Sequence, residues 1–269
     1  MTEKLRIAAV QMSSQDDVAA NLARATALIA RAANEGAKVV LLPENFAYLG
    51  AEDGKRAVAE PIGDTPQGAI VSALADAAQR AGVHVIGGGM PEKSADPARP
   101  FNTCAVVAPD GRVVARYRKV HLFDVEVGDG QRYCESASTT PGDATTTVRI
   151  AGFSIGLSVC YDLRFPELYR KLVSAGADVI VVPAAFTLAT GKDHWHVLLR
   201  ARAIESQCYV AAAAQWGAHP RGRRTYGKSL IADPWGDVIA QCPEGEGVVT
   251  ADVDRAYLGE VRKNLPALT

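Results

Sequence analysis

The chain has 269 residues, 48% of them hydrophobic and 22% charged, a length and balance that suit one large α/β domain with a substantial core and give no compositional reason for disorder. Its 29 basic and 30 acidic residues leave a formal charge of −1, which argues against nonspecific nucleic-acid or anionic-lipid binding as the main activity. No apolar run approaches the ~18 residues that cross a bilayer, and the opening MTEKLRIAAVQM gives an acidic residue and then a strand-length apolar run in place of a secretory signal.

The expected location is therefore the cytoplasm, with no membrane and no nucleic acid among the expected partners. Cysteine usage agrees: Cys104, Cys134, Cys160, Cys208 and Cys242 are an odd, scattered set without a C-x-x-C pair, so neither a disulfide framework nor a zinc knuckle is expected.

In chain order, a strand over 5–12 precedes a helix whose Val18, Leu22, Ala25, Leu28, Ile29 and Ala32 repeat at three and four. Val39-Val40-Leu41-Leu42 reads as a strand buried on both faces. A helix over about 67–80 leads to a strand ending in Gly87-Gly88-Gly89, which lacks the G-x-G-x-x-G spacing of a dinucleotide loop and reads as close backbone packing. Hairpins follow, around Pro109-Asp110-Gly111 and around Ala151-Gly152. Pro166 opens a helix, DVIVVPAAF is a buried strand, and a long helix over about 193–207 has Asp193 as its expected N-cap. The strand CYVAAAAQW, the hairpin SLIADPWGDVIAQC, the strand GVVTADVD and a helix over about 257–264 complete the order. With no linker or repeat, residues 1–269 read as one domain. Helices alternating with buried strands, plus hairpins, fit sheets with helices packed outside. A single open sheet and two facing sheets both satisfy this pattern.

Three reactive residues end apolar runs: Glu44 closes VVLLPE, Lys119 closes VVARYRK and Cys160 closes FSIGLSVC. Strand ends are where α/β proteins collect catalytic groups. Alone, each has a plain structural account, as a solvated acid, part of a charged rim and a core thiol. Together they compose a base, a cation and a nucleophile. A free thiol titrates near ~8.5 and a free glutamate near ~4.3, so unaided proton transfer between them is uphill by about 6 kcal/mol. Burial of the acid and an ammonium beside the sulfur are expected to close that gap. The ammonium also suits the oxyanion formed when sulfur adds to an amide carbonyl, assisted by the backbone N–H of Tyr161.

These residues lie in LLPENF, YRKVHLFD and CYDLRFPE, which resemble the Glu, Lys and Cys signatures of the nitrilase superfamily of carbon–nitrogen hydrolases, in the same chain order. The likeness runs from RIAAVQM to the C-terminal helix. It implies a four-layer α-β-β-α sandwich, cysteine amidase or nitrilase chemistry without cofactor or metal, and a homodimer or larger homo-oligomer joined through the helix after the nucleophile. It also marks Glu135, in YCES, as a second active-site glutamate. Within the superfamily, HWHVLLRARAIESQCYVAAAAQWG and TYGKSLIADPWGDV are most like the Nit branch, with its deaminated glutathione amidases and ω-amidases acting on 2-oxoglutaramate. Hydrolysis of the former amide is the expected reaction. Alternatives are the latter, another small amide, nitrile or N-carbamoyl substrate, or a silent assembly partner.

Four residues are candidates for substrate contact. Arg164 suits two-pronged carboxylate recognition or, equally, an ion pair with Asp162 or Glu167. Phe186 and Thr187 follow a further strand end, and Tyr48 follows Glu44. The basic run His219-Pro220-Arg221-Gly222-Arg223-Arg224 reads as a solvated loop, with the alternative that one arginine meets a distant substrate carboxylate. His194 and His196, two apart on a helix, point away from each other and do not suit one metal. His121 as a thiol partner is the weaker alternative to Lys119 with two glutamates.

Overall fold

Along the first strand, β1 (Lys4–Gln11), successive residues go to different cores: Leu5, Ile7 and Ala9 enter one hydrophobic cluster, Ala8 and Val10 another. That period of two is the strand repeat, and it makes β1 a wall between two packed layers. The computed structural model describes residues 4–126 and 132–268. After β1 come α1 (Val18–Asn34), β2 (Val39–Leu41), α2 (Glu52–Ala57), α3 (Ala69–Ala81), β3 (His84–Glu92), β4 (Phe101–Val107) and β5 (Val113–Arg118). A small pair, β6 (Asp124–Glu126) and β7 (Arg132–Cys134), precedes β8 (Thr146–Ile150) and β9 (Phe153–Leu157). Then follow α4 (Pro166–Ser174), β10 (Val179–Ala184), α5 (Leu188–Ser206), β11 (Tyr209–Ala214), and the ribbon β12 (Trp216–Ala218) with β13 (Arg224–Tyr226). The chain ends with β14 (Leu230–Ala232), β15 (Val238–Gln241), β16 (Gly247–Asp254) and α6 (Arg255–Asn264).

Two six-stranded sheets form, in the orders β16-β1-β2-β3-β4-β5 and β15-β14-β11-β10-β9-β8. The inner face of the first, with Ile7, Leu41, Ile86 and Val106, packs against Ile155, Val181 and Ala213 of the second. Its outer face, with Val40, Val85 and Val107, is covered by Ile29 of α1 and Leu74 of α3. Leu168 and Leu172 of α4, with Trp195 and Leu199 of α5, belong to the core of the second sheet. The result is the α-β-β-α sandwich. The sheets approach closely at Gly88, where a Cβ would come within 2.1 Å of Pro183 in β10 and 2.3 Å of the Leu42 carbonyl, so the triple glycine serves close packing.

Local expectations hold at several boundaries and fail at others. Pro166 is the first residue of α4, and Gly82, at φ +65°, closes α3. Asp193 does not cap α5: the helix begins five residues earlier, where Thr187 accepts from the Thr190 N–H at 3.3 Å. That extra turn starts at Leu188, a short loop past the end of β10 at Ala184. The short α2 has no buried residue, and so carried no apolar periodicity by which to find it.

Candidate active site

Glu44, Lys119 and Cys160 do meet, at one end of the two sheets. The positions differ slightly from pure strand ends. Glu44 lies three residues beyond β2 and Cys160 three beyond β9, in a 3-10 turn over Cys160–Arg164, while Lys119 directly follows β5. Two backbone features place them. Cys160 has φ +50°, an uncommon conformation for a residue with a side chain and one that lifts it sharply from the strand line. At Gly89, φ is +68° and a Cβ would lie 2.7 Å from Asn102 Oδ1 and 2.8 Å from Glu44 Cγ, so only glycine lets β3 pass beneath the acid.

Lys119, 2% exposed, donates from Nζ to Glu44 Oε1 at 2.9 Å and to Glu135 Oε2 at 2.8 Å. Asn102 spans the same carboxylates, its Nδ2 lying 2.9 Å from Glu44 Oε1 and 3.2 Å from Glu135 Oε1. The Ala185 N–H, just past β10, donates to Glu44 Oε2 at 3.1 Å, and the Phe123 N–H to Glu135 Oε2 at 2.7 Å. Every donor is aimed at the ionised form of the acids. Burial opposes ionisation of Glu135, but Lys119 and Lys55 outweigh it and hold that carboxyl down at about 2. Burial likewise disfavours the Lys119 charge, yet Glu135, Glu44 and Cys160 together hold its pKa well above the ordinary lysine value.

The thiol departs from expectation. Burial and the adjacent Glu44 carboxylate push the Cys160 pKa well up, and the opposing pull of Lys119 and the Ala185 N–H does not overcome them. The reason is charge bookkeeping within the cluster: one ammonium faces two carboxylates, so a thiolate would add a second uncompensated negative charge in a dry site. Burial and the surrounding charge thus favour the neutral thiol over the thiolate.

Around this floor lies a cavity of about 190 Å³ lined by Glu44, Lys119, Glu135 and Cys160, and above them by Tyr161, Arg164, Phe186, Thr187, Lys55 and Arg223. Arg164 pairs with neither Asp162 nor Glu167. Its guanidinium reaches His194 Nδ1 at 3.3 Å and lies 5.3 Å from the Phe186 ring centroid and 5.9 Å from that of Tyr161. Asp162 is instead fully buried and accepts from Tyr117 Oη at 2.7 Å, the His121 N–H at 3.0 Å and the Val159 N–H at 2.9 Å, with His121 Nδ1 at 2.7 Å. His121 thereby braces the turn that carries Cys160 and does not line the cavity.

Tyr48 is the one candidate the structure moves away. It is buried beneath α2, its hydroxyl donating to the Ala51 carbonyl at 3.2 Å, and it fills the space beside Gly50 and Gly54. Within the basic run, Arg221 and Arg224 are exposed, whereas Arg223 is half-buried and lines the cavity. His196 bonds Gln241 at 2.7 Å while His194 faces Arg164, so the two rings diverge. Asn102 was missed by sequence reasoning. Its signal was an amide, disfavoured in strands, at the head of an apolar run. The Ala185 N–H carried none.

A sequence profile described as carbon-nitrogen hydrolase matches residues 6–263. A Synechocystis protein named deaminated glutathione amidase is 47% identical over 264 residues, spanning 97% of this chain and 96% of its own. A zebrafish protein named omega-amidase NIT2 is 37% identical over 263 residues, spanning 98% and 93%. The crystal structure of Saccharomyces cerevisiae Nit3, described as a member of branch 10 of the nitrilase superfamily, superposes with a TM-score of 0.89 at 32% identity over 99% of this chain and 96% of that one.

Proposed function

Because the chain belongs to the carbon–nitrogen hydrolase family, we propose that it is an amidase cleaving deaminated glutathione through a thioester on Cys160. The observation that carries this reading is the buried Lys119 held between Glu44 and Glu135 in the cavity that contains the thiol. As sulfur adds to the amide carbonyl, its proton passes to Glu44, and the oxyanion takes hydrogen bonds from Lys119 Nζ and the Tyr161 N–H. Glu44 then protonates the departing nitrogen as the carbon–nitrogen bond breaks. Water attacks the thioester while Glu44 removes its proton. Collapse releases the acid and returns the proton to sulfur. Glu135 and Asn102 position Lys119 and Glu44.

Arg164 binds the carboxylate on the acyl half of the substrate, and Phe186 and Thr187 flank it. The rival reading is an ω-amidase acting on 2-oxoglutaramate, favoured by the similarity to the zebrafish protein. The likeness to the Synechocystis relative supports the first reading. Residues 1–269 act as one hydrolase domain in the cytoplasm. The described residues contain no helix long and apolar enough to cross a membrane. Two copies pair through α4 and the neighbouring α5, where Val197 and Ile204 are exposed.

Steady-state kinetics on deaminated glutathione, 2-oxoglutaramate, a simple aliphatic amide, a nitrile and an N-carbamoyl amino acid test this reading, with the highest kcat/KM expected on the first. Cys160→Ala should fold and bind but form no acyl-enzyme detectable by mass spectrometry. Residual turnover above that of buffer would overturn the nucleophile assignment.

A further inference from the structure

The cations around the rim of the cavity are of two kinds. Lys55 has Glu52 at 3.0 Å and Arg132 has Glu126 at 3.6 Å. Arg164 and Arg223 have no carboxylate within 4 Å among the described residues. Arg164 is accounted for by the acyl-side carboxylate of the proposed substrate, which leaves Arg223.

Its backbone is firmly set. The Arg223 carbonyl accepts from the His219 N–H at 2.8 Å, and the ring of buried His219 bridges the Ser14 carbonyl, at 2.8 Å, and Thr225 Oγ1, at 2.6 Å. From this anchored base the guanidinium enters the cavity, with Nη2 donating to the Ala185 carbonyl at 3.1 Å and its carbon 6.0 Å from the Tyr133 ring centroid. Its Nε is buried and has no acceptor in the protein. A cationic donor kept from water without an acceptor is costly. A guanidinium has five N–H groups in a planar fork suited to a carboxylate.

Its location also bears on which half of a substrate it would meet. Arg223 bonds the carbonyl of Ala185, and the N–H of the same residue bonds Glu44 Oε2, so Arg223 stands on the side of Glu44, the group that hands a proton to the departing nitrogen. Arg164 is carried instead by the turn bearing the nucleophile, against Tyr161 and Phe186.

We propose that Arg223 reads a second carboxylate, on the amine half of the scissile amide, so that the site selects amides bearing an acid on each side of the bond. This deepens the proposed function and rests on it. Arg223→Gln is assayed on three amides: deaminated glutathione, whose leaving half ends in a carboxylate; the same compound with that carboxylate converted to a carboxamide; and 2-oxoglutaramate, whose leaving group is ammonia.

The expected result is a loss of about 10- to 100-fold in kcat/KM on the first, the scale of one charge-assisted contact, carried mainly by KM. The carboxamide should already be poorer by a similar factor in the wild type, and replacing Arg223 should add little to that deficit. Thermal melting and the 2-oxoglutaramate rate report whether the fold and Glu44 are intact. Equal losses on all three substrates would make Arg223 a prop for Ala185 and overturn the inference, as would a wild type that treats carboxylate and carboxamide alike. If the wild type hydrolyses none of the three, the proposed function falls and this inference with it.

Discussion

At the floor of the cavity the charged groups meet their counterparts within the protein: Lys119 touches two carboxylates, and Asn102, Ala185 and Phe123 supply further donors. At the rim, Arg164 and Arg223 face the cavity with a histidine, a backbone carbonyl and aromatic rings for company, and no acid among the described residues. The floor is built to keep one protonation pattern, because its geometry is closed and dry. The rim leaves charge to be completed from outside. On the proposed mechanism the floor therefore governs kcat on any amide that fits, and the rim governs which amide fits.

The largest break in this division is Lys119→Met. It leaves Glu44 and Glu135 side by side without the cation that bridges them, and removing one partner of a buried ion pair costs about 3–5 kcal/mol. On the proposed mechanism the oxyanion also loses a donor, which should lower kcat by roughly 10²–10³. Rates on all substrates should fall together, with a lower urea midpoint. A variant that kept its rate would move the oxyanion role elsewhere. Asn102→Leu comes next. It removes one amide that bridges both acids, so about 10-fold or more should be lost from kcat with KM little changed. Because Asn102 acts through Glu44 and Glu135, the pH profile of kcat should shift as well, a readout that a packing role alone would not move.

The floor was legible in the sequence because its reactive groups end apolar runs: VVLLPE, VVARYRK and FSIGLSVC each deliver one of them. The buried run at β2 and the helices alternating with strands pointed to sheets covered by helices, though not to two sheets over one, which depends on packing between the sheets, such as β10 against β3, that no local pattern encodes. Glu135 was accessible only through resemblance, since its motif has no apolar run to anchor it. Arg223 looked like its neighbours Arg221 and Arg224. Which of the three turns inward depends on the β12–β13 ribbon and on His219 docking against Ser14, 205 positions earlier in the chain. The direction of the thiol shift failed for a related reason: the sequence shows one cation near one sulfur, but the balance depends on how many carboxylates share that cation.

At the rim, Arg164→Lys keeps the charge and loses the fork and the guanidinium that lies over the Phe186 ring. A loss of about 10-fold in kcat/KM is expected, through KM, on deaminated glutathione and 2-oxoglutaramate alike, because both carry the acyl-side carboxylate. Equal sensitivity here and selective sensitivity at Arg223 are the pair of results that separate the two arginines. A loss at Arg164 confined to deaminated glutathione would exchange their roles.

The last test concerns His219, whose backbone N–H holds the Arg223 carbonyl. Burial lowers the His219 pKa to about 4, with Arg223 adding to the effect and the Ser14 carbonyl opposing it. That carbonyl can only accept, so Nδ1 carries the ring proton and Nε2 accepts from the Thr225 hydroxyl, the neutral form of the ring. In the unfolded chain the same ring titrates near ~6.5. Between those values the unfolded state binds a proton that the folded state does not, so stability rises with pH across the window. The contribution is fully present above about 6.5 and is lost as pH falls toward 4, about 3 kcal/mol in all. Urea midpoints at pH 7.5 and pH 5 should therefore differ more for the wild type than for His219→Gln, whose amide does not titrate. Parallel declines in the two proteins would assign the acid sensitivity to other groups and leave His219 a purely geometric support for Arg223.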